Sequence, residues 1–343
     1  MSKIPAAREA IAAAIDAAHE AKAEPPRPHM GASTLGHHCD RWLWLSFRWA
    51  VQPEFPGRIL RLFRRGQREE ETVIDDLRAI GCKISQDESG QHRVVFGSHV
   101  SGSTDGIIES GLPGAENTRH VLEIKTHSKK SFDALKDGVE KAKPEHWAQM
   151  QVYMRGTGIE RALYVAVCKD DDRYHIERVS YDADAAEAIV ERGQRLALTE
   201  RMPEPCPGGS PDWYLCRFCD AHAFCWDTRT TKHVNCRTCA HVTPLADSTW
   251  HCARHDAGGI PVEFQQAGCD CHVLHPDLVP WPLRDSSNPH VAVYEIEGKP
   301  VQNGEPDAHV FGSKEILANP KACANADDLD RDIRATFGAR VVR

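Results

Sequence analysis

The sequence predicts an α/β protein in which a small mixed sheet is flanked by helices and followed by a small metal-binding module. Three observations carry this. Short β-prone runs between residues 92 and 179 are interleaved with helix-period stretches. A helical apolar stripe, between Arg58 and Ile80, precedes them. Past about residue 202 the pattern gives way to Cys, His, Pro and Trp in short irregular stretches, and nine of the 13 cysteines fall between Cys206 and Cys271.

A chain of 343 residues suffices for one large or two smaller domains with a buried core. Its 42 Lys+Arg against 50 Asp+Glu, a formal charge of -8, exclude a polycation that coats nucleic acid. Any nucleic-acid contact must use a local basic surface. No apolar run approaches the roughly 18–20 residues needed to span a bilayer, and the opening stretch lacks the apolar core of a secretory signal. The expectation is a cytoplasmic protein with no membrane partner. In a reducing compartment the clustered cysteines read as metal ligands rather than disulfides.

In chain order, residues 1–24 alternate alanines with charges and predict a helix ended by Pro25, Pro26 and Pro28. Cys39 then leads into an aromatic run, Trp42, Trp44, Phe47 and Trp49, read as a helix whose tryptophans are core. The stripe that follows holds Ile59, Leu62, Phe63, Val73, Leu77 and Ile80, and Gly66 and Glu70 fall on it too. A carboxylate on a buried face must be paired, protonated or bound to a cation. From this segment alone, a salt bridge to a nearby arginine is the favoured way to meet that requirement. Strands are expected at 92–96, 104–108, 121–125, 163–168 and 175–179, and helices at 145–155 and about 182–200. A boundary near residue 228 separates 1–228 from 229–343. Val291–Ile296 alternates like a further strand, and residues after about 320 read as poorly packed.

Asp105 lies in Gly102-Ser103-Thr104-Asp105-Gly106, and Glu123 and Lys125 lie in Leu122-Glu123-Ile124-Lys125. In a strand, 123 and 125 point to one face while Leu122 and Ile124 point to the core. If Asp105 meets them from a neighbouring strand, two converging carboxylates repel unless a cation sits between them. Hard oxygen donors suit Mg2+ or Mn2+. Such a site would polarise a phosphate and activate water, with Lys125 orienting that water or stabilising negative charge.

The set resembles the PD-(D/E)XK nuclease superfamily, especially its RecB-like and phage-exonuclease-like branches. The matching residues occur in order: Gly66-Gln67-Arg68-Glu69-Glu70, Asp105, Glu123-Ile124-Lys125 and Gln149-Met150-Gln151-Val152-Tyr153, within a stretch of about 33–225. The resemblance implies a restriction-endonuclease-like core, with Asp105 and Glu123 as metal ligands and Glu70 as a third carboxylate where the RecB-like branch often has histidine. It implies that Gln149 and Tyr153, four apart on one helical face, hold a phosphate or the attacking water. Gln151 points away from that pair, but phage exonucleases have a similar Gln-x-Gln, which keeps it a candidate.

Cys216-x2-Cys219-x5-Cys225 closes the core and Cys39 opens it. Four thiolates can hold one zinc or a four-iron cluster, and their number does not separate the two. The arrangement resembles the iron-sulfur nucleases of the CRISPR-adaptation group, which implies a [4Fe-4S] cluster that fastens the ends of the nuclease domain without taking part in the chemistry. A second group, Cys236-x2-Cys239, Cys252 and Cys269, resembles a zinc ribbon or treble-clef module and implies structural Zn2+. His241, His255, Cys271 and His272 are reserve ligands.

Basic residues flank the expected catalytic metal: Arg61, Arg64, Arg65 and Arg68 before Glu70, and Lys129 and Lys130 after Lys125. They suit sequence-independent phosphate contacts. The resemblance is to end-processing enzymes, so the expected activity is a DNA exonuclease on single- or double-stranded ends, in recombination, repair or phage replication, with a recombination or replication protein as partner. The competing reading is a noncatalytic DNA-binding or scaffold protein with structural metal centres.

Overall fold

The structure is a computed structural model that describes residues 4–87 and 90–341. The first three positions of the expected N-terminal helix lie outside the described residues. By its internal contacts the chain forms two compact units, 1–37 with 53–194 and 38–52 with 195–343.

The first unit opens with the Ile4–Glu20 helix, whose Glu20 Oε1 accepts the Gly57 N–H at 2.7 Å and so caps the Gly57–Ala79 helix. Its strands are β1 (Met30–Gly31), β2 (Lys83–Ser85), β3 (His92–Gly97), β4 (Val100–Thr104), β5 (Gly106–Ser110), β6 (His120–His127), β7 (Arg161–Cys168) and β8 (Tyr174–Ser180). Five form a mixed sheet in the order β2-β5-β6-β7-β8, in which only β6 and β7 are parallel. The crossover between those two carries the Pro144–Thr157 helix, as a parallel pair requires. A second sheet has the order β1-β4-β3. The α/β architecture with a small mixed sheet between helices is thus the one the sequence predicts.

Alternation along β6 sorts its side chains. Leu122 and Ile124, with Leu163, Val165 and Val167 of β7 and Ile108 of β5, pack against Val73, Ile74 and Leu77 of the Gly57–Ala79 helix. Burying each such side chain is worth about 1.5–3 kcal/mol. The odd residues, Glu123, Lys125 and His127, point to the opposite face, on the side of the Pro144–Thr157 helix. The apolar stripe of the Gly57–Ala79 helix is fully buried only toward its C-terminal end, at Val73, Ile74 and Leu77. Phe63 and Ile80 are 47% and 59% exposed.

The expected strand at 104–108 is broken by a bend at Asp105. Before it, β4 pairs with β3 and β1; after it, β5 pairs with β2 and β6. The chain passes from one sheet to the other at this residue.

In the second unit the Asp40–Phe47 helix buries Trp44 and Leu45 against Ala221, Phe224 and Leu278. The guanidinium of Arg237 lies 3.6 Å from the centre of the Trp49 ring and donates to the Phe47 carbonyl at 2.8 Å. The strands β9 (Val242–Pro244) and β10 (Trp250–Cys252) form a hairpin. A four-stranded sheet follows, with β11 (Leu283–Asp285), β12 (Val291–Ile296), β13 (Lys299–Gly304) and β14 (Val310–Phe311) in sequential order. The end of the chain is better packed than its sequence suggests. Cys323 and Ala324 are buried, and Arg334 of the Asp328–Phe337 helix makes a buried ion pair with Glu315. Among the described residues no helix is long and apolar enough to cross a membrane.

Candidate active site and cysteine centres

The register of β5 with β6 pairs Gly106 with Leu122, which carries Asp105 to the position facing Glu123. Asp105 Oδ2 accepts the Ile124 N–H at 2.7 Å, so the bend that moves the chain between sheets is held by the candidate ligand itself. Glu123 is fully buried and ion-paired through Oε1 with Lys125, whose side chain stays partly open to solvent. Neither Glu123 oxygen accepts a regular hydrogen bond, which for a buried carboxylate is costly unless a cation completes it.

Burial pushes the Glu123 carboxyl up to about 8; Lys125 opposes that rise, and Asp105 and Glu70 add to it. Asp105 is raised by burial against the lowering pull of Lys125 and the Ile124 N–H. Glu70, on the Gly57–Ala79 helix, rises to about 7 through burial and then the charge of Asp105, with Lys125 opposing. The charges that act on it are those of Asp105, Lys125 and the adjacent Glu71, with no arginine among them, so the arginine partner that the segment alone allowed is not what shifts it. Three carboxylates and one amine therefore form one mutually coupled group. Gly66, one turn earlier, faces β6, where an added Cβ would make ordinary contact with Thr126 Oγ1 at 3.8 Å.

Gln149 and Tyr153 are buried on the inner face of the Pro144–Thr157 helix, and Gln149 Nε2 donates to the Tyr153 hydroxyl at 2.9 Å. Burial and then the charge of Glu123 hold the Tyr153 hydroxyl far above its ordinary range, with Asp105 contributing further. The ring reaches this position because Gly102 has no side chain: a Cβ there would lie 2.8 Å from Tyr153 Cε1. Gln151 faces elsewhere. It donates to the Ser180 carbonyl at 3.0 Å and accepts the Asp182 N–H at 2.8 Å, so its amide holds the turn after β8 and is not brought to the carboxylates.

The sequence reading missed three residues beside this group. Tyr164 on β7 pairs in register with Glu123, and its hydroxyl bonds His127 Nε2 at 2.9 Å and His146 Nδ1 at 2.8 Å. His127 was visible as the continuation of the 123–125 alternation, and His146 as the position three before Gln149 on the same helix. Tyr164 has no local signal.

Among the basic candidates, Arg61 is ion-paired with Asp16, and Arg65 donates to the Lys169 carbonyl at 3.0 Å. Arg64, Arg68 and Lys130 are exposed. Lys129 is exposed and lies 3.5 Å from Asp171.

In the second unit, Cys39, Cys206 and Cys216 form a buried group packed by Trp42, Trp213 and Trp226. Cys219 and Cys225 line the same cavity. Burial and then the charges of Cys39 and Cys216 push the Cys206 thiol up to about 12. Cys219 is raised to about 11 by burial, with Cys225 and Cys39 adding, and Cys225 is raised by burial while Arg41 opposes. The structure thus brings the four expected iron-sulfur residues together and adds Cys206, a fifth thiol outside any C-x2-C spacing. Soft donors that crowd and repel one another suit a metal centre.

Cys236 and Cys239 sit at the ends of a short 3-10 turn fixed by the Asn235 capping box and by buried Arg237. Cys239 Sγ accepts the Val273 N–H at 3.5 Å. Burial and then Cys269 and Cys252 push Cys236 up to about 11; Cys239 rises to about 12, again by burial first, with Cys252 and Cys269 adding. The four chosen thiols thus lie within electrostatic reach of one another. Of the reserves, His272 is taken: Nδ1 bonds Ser313 Oγ at 2.7 Å and Nε2 bonds Thr238 Oγ1 at 3.1 Å. His255 and Cys271 lie close to Cys269, whereas His241 Nε2 is buried without a hydrogen-bond partner.

No family model and no curated protein matches the chain. Among solved structures, the chain is similar to an alkaline exonuclease from Laribacter hongkongensis, at 19% identity and a TM-score of 0.34, over 50% of this chain and 87% of that one. The same exonuclease in complex with dAMP gives 19% identity and a TM-score of 0.36 over 53% and 89%. The protein SSO0001 gives 15% identity and a TM-score of 0.38 over 63% and 96%.

Proposed function

We propose that the chain is a Mg2+- or Mn2+-dependent deoxyribonuclease that hydrolyses phosphodiester bonds at DNA ends. The observation that carries this reading is Glu123: a fully buried carboxylate without a regular hydrogen bond, facing Asp105 and paired with Lys125. Glu70, Asp105 and Glu123 would hold the divalent cation, since hard oxygen donors of like charge fit such an ion and the one amine of Lys125 cannot balance three carboxylates. When bound, the ion supplies positive charge to the scissile phosphate and lowers the pKa of the attacking water.

The chain's own residues do the rest. Lys125 Nζ donates to the attacking water or to a phosphate oxygen as negative charge builds on it. Glu123 accepts the Lys125 ion pair and so aims that amine. Gln149 and Tyr153 offer an amide and a hydroxyl to a phosphate oxygen or to the water, and their mutual bond fixes both. Water adds to phosphorus as the bond to the leaving ribose oxygen breaks; the water gives up a proton to solvent and the leaving oxygen takes one up from it. Arg64, Arg65, Arg68 and Lys130 suit the DNA backbone, with Arg61 and Lys129 available once their surface ion pairs open.

The two cysteine groups would be structural. Cys39, Cys216, Cys219 and Cys225 suit a [4Fe-4S] cluster within the second unit, and Cys236, Cys239, Cys252 and Cys269 suit zinc. In this reading residues 1–228 contain the catalytic apparatus and 229–343 the second metal group, and the biological setting is DNA recombination, repair or phage replication.

End-labelled linear DNA, single- and double-stranded, incubated with the full chain and Mg2+ or Mn2+ tests the activity. Nucleotide release is expected, reduced by about a thousandfold in Asp105→Asn and about a hundredfold or more in Lys125→Ala at unchanged circular dichroism. Wild-type rates in both variants, or a folded protein inert on every DNA, would leave the scaffold reading in its place.

A further inference from the structure

Cys269 has two sets of neighbours. On one side its charge reaches Cys236 and Cys239, and that of Cys252 reaches Cys269 itself. On the other, a nitrogen of His255 and the sulfurs of Cys269 and Cys271 all lie within 4.8 Å of one another. Nε2 of His255 is 3.8 Å from Cys269 Sγ, and Cys271 Sγ is 3.4 Å from Glu305 Oε2. Bond lengths of about 2.3 Å to sulfur and about 2.0–2.1 Å to nitrogen put neighbouring ligands of a tetrahedral zinc about 3.5–3.8 Å apart. His255, Cys269 and Cys271 are therefore near ligand spacing, and Glu305, in contact with Cys271 alone, is the carboxylate that would turn in as the fourth donor.

We propose that His255, Cys269, Cys271 and Glu305 bind a zinc ion of their own, and that the Cys269 thiolate bridges this ion to the one held by Cys236, Cys239 and Cys252. Three segments converge on the site. The turn after β10 is closed by the Cys252 N–H bond to the Ala257 carbonyl at 2.8 Å and carries His255. The 269–272 turn is pinned through His272, whose ring is locked on Thr238 and Ser313. Glu305 directly follows β13, and Arg254 donates to its Oε2 at 3.1 Å, which aims the carboxylate. Binding requires the Cys269 and Cys271 thiols to release their protons to solvent as the two Zn–S bonds form. His255 and Cys269 are exposed, so this ion is the more accessible of the two and exchanges first. The bridge itself rests on the zinc reading of Cys236, Cys239, Cys252 and Cys269. The terminal ligands do not, and neither part depends on the nuclease reading.

The test is metal content and release kinetics on the full chain purified anaerobically with thiol reductant, with iron measured in parallel. A chromophoric chelator is expected to draw zinc from the wild type in a fast and a slow phase of equal amplitude. His255→Ala and Cys271→Ser should each lose one equivalent, namely the fast phase, at unchanged iron. Wild-type zinc content in both variants would overturn the proposal, and so would a wild-type protein that releases no zinc in a fast phase, a result that needs no variant to fold; a single fast phase of one equivalent, lost in both variants, would overturn only the bridge. Two phases that persist unchanged in Cys269→Ser would overturn the bridge.

Discussion

Asp105 faces Glu123 across the antiparallel β5–β6 pair, and the Asp105 carboxylate bonds the N–H of Ile124, the residue next to its partner. The catalytic candidate that comes first in sequence is thus also the clamp that holds the second in place. Replacing Asp105 by alanine frees a buried N–H and costs about 1–3 kcal/mol, whereas Asp105→Asn keeps an acceptor oxygen there and removes only the charge. Chemical unfolding of the two variants should therefore separate them, with alanine the less stable; equal stabilities would mean that the Ile124 bond contributes nothing.

The His127–Tyr164–His146 chain makes stability depend on pH. Burial first, and then the charges of Lys143 and Lys125, depress His127 to about 4; burial and then Lys125 depress His146 to about 3. Both rings are neutral in the folded protein and take up protons in the unfolded chain as pH falls through about 6.5. Their contribution is complete above that value and is lost as pH falls toward 4, by at most about 1.4 kcal/mol per pH unit for each ring. Urea unfolding at pH 7.5 and pH 5 should show this loss, and His146→Gln should remove about half of it. An identical pH dependence in His146→Gln would rule the ring out as its source.

Removing the Tyr164 hydroxyl leaves two buried imidazole nitrogens without their shared partner. Tyr164→Phe is expected to lower stability by about 2 kcal/mol, because the lost bonds are buried while the ring still fills its space. A melting temperature equal to the wild type would show that water replaces the hydroxyl without cost.

The first cysteine group has five thiols for four cluster positions. Anaerobically purified protein should hold about four irons and matching labile sulfide with visible charge-transfer absorption. Cys39→Ser should lose them and be destabilised by on the order of 3–5 kcal/mol, as expected when a centre that closes a long loop is lost. Cys206→Ser should keep them. Zinc without iron in the wild type would replace the cluster by a tetrahedral site, and iron retained in Cys39→Ser but lost in Cys206→Ser would exchange the two ligands.

Much of the first unit is legible in the sequence because its signals are local. The two-residue period of Leu122–Lys125 sorts core from site, and the four-residue interval from Gln149 to Tyr153 puts both on one helix face. The break at Asp105 has one local mark, the Asp105-Gly106 pair, which signals a turn; only pairing with distant strands decides that the chain changes sheets there. Tyr164 and His146 meet through tertiary packing across 18 residues of sequence. Cys206 escapes because its partners, Cys39 and Cys216, do not share a metal-knuckle spacing with it. The C-terminal helix reads as weakly packed because its anchor is polar, the buried Arg334–Glu315 pair.

Everything catalytic depends on Glu70, Asp105 and Glu123 sharing one cation, and Mn2+ binding read by loss of the free-ion paramagnetic resonance signal reports on it directly. Hard Mn2+ favours carboxylates over the thiols elsewhere in the chain. The wild-type protein should take up Mn2+ at a site that weakens at least tenfold in Glu123→Gln and in Asp105→Asn, with folding intact. Undiminished Mn2+ binding in both variants would contradict the account.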